Sequence, residues 1–131
     1  MRRQAREAVF KFIFSKLFNV NDEGLFNVII KDLNEDDKQF ATSLLSAVEK
    51  DMEKNLSVIS ELAIGFKLNR LFNVDKCALL IGMTELNNFP DTPVPVVIDE
   101  AVSLSAKYST EKSTDFVNGI LSNYSRGKYN G

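Results

Sequence analysis

The chain has 131 residues, a formal net charge of −2 and a hydrophobic fraction of 44%, which suits one globular domain with its own core. It contains no histidine and one cysteine, so Ser-His-Asp and Cys-His nucleophiles, histidine-based zinc sites and an intramolecular disulfide are excluded. We find no signal peptide and no run of about 18 apolar residues, and therefore expect a cytoplasmic protein without a membrane span.

The charge is distributed unevenly along the chain. Residues 1–16 hold five basic side chains and one acidic side chain, whereas the remainder is acidic overall. Cations at the N-terminal end of a helix oppose the helix dipole, so stability alone does not explain Arg2, Arg3 and Arg6. A local basic patch on an acidic body indicates an anionic partner, and the simpler alternative is a solvated helix end.

Apolar residues recur at helical spacing along nearly the whole chain, which predicts about seven helices and no convincing strand. The first helix begins near Arg2, and a short second helix follows the polar break at 19–22. Asn34 is placed to cap a third helix whose first turn is acidic and which runs to about Glu53. Asn55 or Ser57 is expected to start a short fourth helix that ends near Gly65.

The second half of the chain holds the most apolar predicted helix, residues 73–89, which is hydrophobic nearly all round and is therefore expected to be central. Its Cys77 is expected to be a buried thiol. A sixth helix follows the prolines of PDTPVPVV, and a strand at 94–98 is the alternative. Ser109 or Thr110 is expected to cap the seventh helix.

One side of the first helix combines basic and aromatic residues. At 100° per residue, the core set Ala5, Val9 and Phe12 faces another direction from Arg3, Arg6, Phe10 and Phe14. Arginines neutralise phosphates and aromatic rings stack on unpaired bases, so this side predicts binding of single-stranded RNA. The alternative is that both phenylalanines pack on another helix while the arginines are merely exposed.

The remaining polar positions favour structural roles. Glu100 lies among apolar residues, and we expect it to pair with Arg70 or to cap a neighbouring helix. Gly119 is in a predicted helix interior, which indicates close packing of a neighbouring helix, and Asn118 indicates a buried hydrogen bond or a partner contact. Adjacent acids diverge on a helix, so no carboxylate pair is placed for acid–base catalysis, and we expect neither an enzyme nor a cofactor.

Three blocks of the sequence, in this order, resemble the NusB family of bacterial transcription antitermination factors: RRQAREAVFKFIF, FKLNRLFNVDKCALLIGMTEL and PVPVVIDEAVSLSAKYSTEKSTDFVNGIL. Together they extend from Arg2 to about Tyr124. The third block is the most specific, through the pattern around Glu100 and the FVNG at Phe116–Gly119. Leu80 and Thr84 depart from the family, which often has arginine and tyrosine at these positions.

The resemblance implies a single domain over residues 1–131, with about seven helices in two packed three-helix groups. It implies a non-enzymatic factor that binds the boxA RNA of ribosomal RNA transcripts together with NusE, a ribosomal small-subunit protein. That pair joins an antitermination complex on RNA polymerase. Carried onto this chain, the resemblance implies an RNA-binding set of Arg2, Arg3, Arg6, Phe14, Lys112 and Phe116.

Three alternatives stay open from the sequence. The chain could be a protein-interaction scaffold that has lost RNA binding, or the RNA-binding module of a ribosomal RNA methyltransferase system with a separate catalytic chain. The apolar-rich first helix could also pair in a homodimer and hide the arginines.

Overall fold

The computed structural model describes residues 2–18, 22, 24–63, 72–109 and 111–130, with the side chains at 111, 112 and 128–130 outside the description. The part of the chain so described contains seven helices and no strand, which confirms the predicted all-α fold. The predicted alternative of a strand at 94–98 is wrong, because these residues open a helix. The helices are α1 (Arg2–Leu17), α2 (Leu25–Ile30), α3 (Glu35–Lys50), α4 (Met52–Leu62), α5 (Asn73–Asn88), α6 (Val94–Tyr108) and α7 (Glu111–Asn130).

The start of α3 follows its sequence signal. The side-chain oxygen of Asn34 accepts a hydrogen bond from the backbone N–H of Asp37 at 2.8 Å, and the three residues after Asn34 are acidic. This confirms the predicted cap and first turn. The end of α3 differs from the prediction, because the helix stops at Lys50 and only Asp51 separates it from α4. No glycine or proline marks this break in the sequence.

The helices form two packed groups, and α5 connects them. In the first group α1 packs on α2 and α3, and in the second α5, α6 and α7 pack on one another. The groups are joined because α1 and α3 also pack on α5, while α4 contacts α5 and α7. Every residue from Cys77 to Leu86 is buried, which confirms the central position predicted for this helix.

The close approach of helices occurs at Gly82 of α5. A Cβ added there would lie 2.6 Å from a methyl carbon of Leu121 and 3.2 Å from the Cβ of Ala101, so α6 and α7 both need a glycine at this point. Gly119 has nothing within 4 Å of an added Cβ. The interpretation of Gly119 as a packing glycine is therefore wrong, because it lies on the exposed side of α7.

Asp75 and Cys77 are buried titratable groups of α5. The Asp75 carboxylate accepts hydrogen bonds from the hydroxyls of Ser113, at 3.1 Å, and Ser105, at 3.4 Å, yet burial raises its pKa above the ordinary value. Cys77 is fully buried, which confirms the expected buried thiol, and burial raises the pKa of this thiol to about 12.

None of the helices in the described residues combines the length and apolar character that crossing a membrane requires.

Candidate nucleic-acid interface

The N-terminal half of α1 lies against three other helices. Its first turn has no acidic residue, and its arginines face side chains of α3, α5 and α6. Partners on these other helices, and not acidic residues of α1 itself, therefore offset the unfavourable interaction of the arginines with the helix dipole.

Arg6 is an interior residue. Its side chain is 6% exposed, and its Nε and Nη2 groups donate to the two carboxylate oxygens of Glu85 at 2.7 and 2.9 Å. Glu85 is 1% exposed, so the pair is isolated from water. The expectation that Arg6 lies on a side of α1 away from the core is wrong, because a buried carboxylate of α5 draws it inward. Contact between Arg6 and RNA stays a prediction that requires this pair to open.

Arg3 of α1 forms an ion pair with Glu100 of α6 and is the more exposed of the two residues. Its Nε and Nη2 groups donate to the carboxylate oxygens of Glu100 at 3.2 and 3.0 Å, and its side chain is 70% exposed. The hydrogen bonds and charge of Glu100 raise the pKa of the Arg3 guanidinium. The predicted partner of Glu100, Arg70, lies outside the described residues, and the sequence interpretation missed the pairing with Arg3.

Arg2 is exposed and lies over an aromatic ring. The carbon at the centre of its guanidinium is 4.4 Å from the ring centre of Phe40, a cation–π distance, and its Nη1 group donates weakly to the Thr92 hydroxyl at 3.4 Å. Phe40 is itself fixed by an edge-to-face contact with Phe89. Arg2 is thus oriented by the ring, and within the described part of the chain its one hydrogen bond is the weak one to Thr92.

Aromatic side chains continue along α1 from the arginines. Phe10 is buried and stacks on Tyr108 with ring centres 5.0 Å apart, so at this position packing on another helix is what the structure shows. Phe14 is half-buried, and its ring is 6.1 Å from Phe10 and 5.0 Å from Phe18. Phe18 is 58% exposed. The sequence interpretation missed it, although it lies one helical turn after Phe14.

The other two predicted RNA-binding residues are on α7. Phe116 is half-buried against the core, and the side chain of Lys112 lies outside the described residues. These positions lie on α7, which packs on α4, α5 and α6, and not on α1 with the arginines. Asn118 is exposed and accepts a hydrogen bond from the Ser122 hydroxyl, so the expected buried hydrogen bond is absent there.

Acidic residues neutralise much of the positive charge of α1. Lys16 forms an ion pair with Glu49 of α3, and Glu7 accepts from Lys107 of α6 at 2.7 Å while Lys11 lies 3.8 Å from the same oxygen. The basic segment seen in the sequence is therefore a smaller positive surface in three dimensions. Its exposed cations nearest the start of α1 are Arg2 and Arg3. A cleft of about 230 Å³ adjoins Arg3 between α1 and α6, lined by Arg3, Arg6, Glu7, Glu100, Ser103, Leu104 and Lys107.

Comparisons with known proteins give one consistent result. Residues 3–126 match the NusB family. The chain is 34% identical over 126 residues to the transcription antitermination protein NusB of Natranaerobius thermophilus, covering 92% of this chain and 91% of that protein. It is also 34% identical over 123 residues to the protein of the same name from Acetivibrio thermocellus, covering 92% and 85%.

Solved structures agree with the sequence relatives. NusB of T. maritima superimposes with a TM-score of 0.90 at 32% identity, covering 96% of this chain and 91% of that one. A chain in the crystal structure of the antitermination factors NusB and NusE with dsRNA gives a TM-score of 0.85 at 28% identity, covering 96% of both chains. With a family match over nearly its whole length and the same arrangement of helices, this chain belongs to the NusB family.

Proposed function

We propose that this protein is a transcription antitermination factor that binds the boxA RNA of ribosomal RNA transcripts together with NusE. The RNA–NusE assembly then joins the antitermination complex on RNA polymerase in the cytoplasm. Membership of the NusB family supports the role, and the similarity to a chain solved with NusE and dsRNA supports both partners. The role is one of binding and assembly, without a chemical step.

The observation that carries the proposal is the pair of exposed arginines at the start of α1. Arg2 and Arg3 face solvent where the helix dipole disfavours cations, and the N–H groups of the first helical turn attract phosphate at the same end. Both guanidinium groups are oriented by the fold, through Phe40 and Glu100 respectively. Oriented arginines beside a helix N-terminus form an anion-binding surface.

Aromatic side chains provide a second type of RNA contact. Phe14 is half-buried and Phe18 exposed, so their rings are accessible beyond the arginines along α1. Stacking of unpaired bases on such rings tolerates any sequence and contributes about 1–3 kcal/mol per base. Lys112 and Phe116 on α7 extend the predicted RNA surface to a second helix, and their part in binding stays a prediction.

Cooperation between the partners follows from the assembly role. If the protein holds RNA and NusE in one complex, each partner raises the affinity for the other by the same factor. Measured RNA affinity should therefore rise when NusE is present. Equal RNA affinity with and without NusE would contradict the assembly proposal.

The test measures boxA RNA binding by fluorescence anisotropy, with and without NusE. The variant Arg2→Ala/Arg3→Ala is compared with wild type and with a control variant, Lys50→Ala/Lys54→Ala. The control removes the same amount of positive charge from two exposed positions, Lys50 at the C-terminal end of α3 and Lys54 on α4. Circular dichroism checks that all three proteins are folded.

We expect the arginine variant to lose at least about tenfold in affinity while the lysine variant stays close to wild type, because charge-assisted contacts to phosphate are lost only in the first. Equal binding by both variants would contradict the proposed surface. If all proteins bind NusE and none binds RNA, the scaffold alternative replaces the antitermination proposal.

A further inference from the structure

Four side chains of alternating charge run from the core to the surface between α1, α5 and α6. Their side-chain exposures rise in order, from Glu85 at 1% and Arg6 at 6% to Glu100 at 16% and Arg3 at 70%. Arg6 lies 2.7 Å from Glu85 and 4.0 Å from Glu100, and Arg3 lies 3.0 Å from Glu100. The series ends at the surface with the cation Arg3, so a bound anion would continue the alternation of charge.

The guanidinium of Arg3 uses only one of its two hydrogen-bonding edges. The Nε–H and one Nη2–H form the side edge, and both are donated to Glu100. The end edge, made of one hydrogen from Nη1 and one from Nη2, has no acceptor among the described residues. Such a fork matches the spacing of two phosphate oxygens. Arg3 can therefore hold Glu100 and a phosphate at the same time.

We propose that Glu100 is a positioning residue for RNA, which holds the side edge of Arg3 so that its end edge is presented to solvent as a preset fork for an RNA phosphate. This inference rests on the proposed function, since it assigns the ligand of Arg3 within the same surface. Glu100 acts through Arg3 and does not itself contact the RNA.

Positioning is favoured over competition by the geometry of the pair. A competing carboxylate would occupy the donors that phosphate needs, whereas Glu100 leaves the end edge untouched. Glu100 is also anchored, because α6 carries its backbone and the buried guanidinium of Arg6 lies 4.0 Å from its carboxylate. A long arginine side chain that is ordered before binding loses less conformational entropy when RNA arrives.

The experiment is a double-mutant cycle on boxA RNA affinity at saturating NusE. It compares wild type, Glu100→Gln, Arg3→Ala and the double variant. Asp99→Asn is the matched control, because it removes one negative charge from the adjacent exposed position of α6, which forms no ion pair in the described part of the chain. Thermal unfolding measures the stability of each variant. Glu100→Gln and Arg3→Ala break the same ion pair, so a shared stability loss is recognised and separated from RNA affinity.

We expect Glu100→Gln to weaken RNA binding by roughly 2- to 12-fold, the range for ordering one long side chain. Asp99→Asn should not weaken binding, and Glu100→Gln should have no further effect once Arg3 is alanine. Binding by Glu100→Gln as tight as, or tighter than, that of Asp99→Asn would overturn the proposal. So would an equal loss in the Arg3→Ala background, because Glu100 would then act without Arg3.

A second readout follows the Nε–H group of Arg3 by ¹⁵N nuclear magnetic resonance. We expect its hydrogen bond to Glu100 to persist in the RNA complex, seen as a nuclear Overhauser contact between this Nε–H and the side-chain methylenes of Glu100 that is present with and without RNA. Loss of that contact on adding RNA would overturn the proposal, because it would show that phosphate displaces Glu100. If Arg3→Ala binds RNA normally, the arginine surface of the proposed function fails as well. If only Glu100→Gln binds normally, the positioning role alone fails.

Discussion

Replacing Glu85 by alanine should strongly destabilise the protein. The substitution leaves the Arg6 guanidinium with a side chain only 6% exposed and removes both oxygens to which it donates, at 2.7 and 2.9 Å. Breaking a buried ion pair from one side costs about 3–5 kcal/mol. Arg6 loses its hydrogen-bonded counterion and, among the described residues, keeps only Glu100, whose carboxylate lies 4.0 Å from its Nη1 group. Native domains have only about 5–15 kcal/mol of total stability, so the loss is a large fraction of the whole.

The expected loss converts to a measurable melting shift. At about 2.1 cal/mol/K of unfolding entropy per residue, a chain of 131 residues loses roughly 11–18 °C in Tm for this cost. Thermal and urea unfolding followed by circular dichroism measure it. Arg3→Ala is the control, because it removes a side chain that is 70% exposed and leaves Glu100 beside Arg6, so it should cost far less. A loss below about 1 kcal/mol for Glu85→Ala would refute the argument that this pair is desolvated.

A double replacement separates structure from RNA contact. Arg6→Met with Glu85→Leu fills the same space with apolar groups, and replacements of this kind are often neutral or stabilising. If Arg6 is purely structural, the double variant should fold and keep the RNA affinity of wild type. A folded double variant with weakened RNA binding would show that Arg6 contributes to binding, either by contacting RNA or by holding Glu100, which lies 4.0 Å from it.

Three further predictions concern the salt response, helix packing and pH. Replacing Arg2 and Arg3 by alanine should reduce the steepness of log RNA affinity against log salt concentration by about 1.4, at roughly 0.7 per phosphate contact on a single strand. An unchanged slope would contradict phosphate contacts by both arginines. Measured by urea unfolding, Gly82→Ala should lower the free energy of unfolding by about 1–3 kcal/mol through overpacking. Gly119→Ala should raise it by about 0.4–1 kcal/mol, because alanine restricts the unfolded chain. Equal effects of the two substitutions would contradict the described packing. The folded-state pKa of Asp75 is raised, so its stabilising contribution is present below the unfolded pKa of about 3.9 and is lost as pH rises through the folded value. Asp75→Asn should therefore flatten this part of the curve of unfolding free energy against pH. An unchanged curve would contradict the raised pKa of Asp75.

Periodicity in the sequence was enough for the helices. Apolar spacing predicted all seven, and the Asn34 cap and the central apolar α5 are both confirmed. These features are local, since a cap depends on residues within one turn and burial on all sides depends on a single segment. The α3–α4 boundary was missed because a one-residue break at Asp51 needs neither glycine nor proline.

The packing glycine shows where local information ends. Gly82 and Gly119 both lie in helix interiors, and the sequence interpretation singled out Gly119 although Gly82 lies in the most apolar predicted helix. Gly82 is the packing position because α6 and α7 converge on it, which is a property of three helices together.

The sequence by itself determined that α1 begins with arginines that the helix dipole does not favour, and left open whether they bind an anion or form a solvated helix end. Only the tertiary structure decided which of these arginines are exposed and which carboxylates they pair with. Glu85 and Glu100 lie far along the chain from α1, and packing brings them to Arg6 and Arg3. Charge in a sequence is a local count, whereas its availability to a ligand depends on which opposite charges the fold brings within hydrogen-bond distance and removes from water.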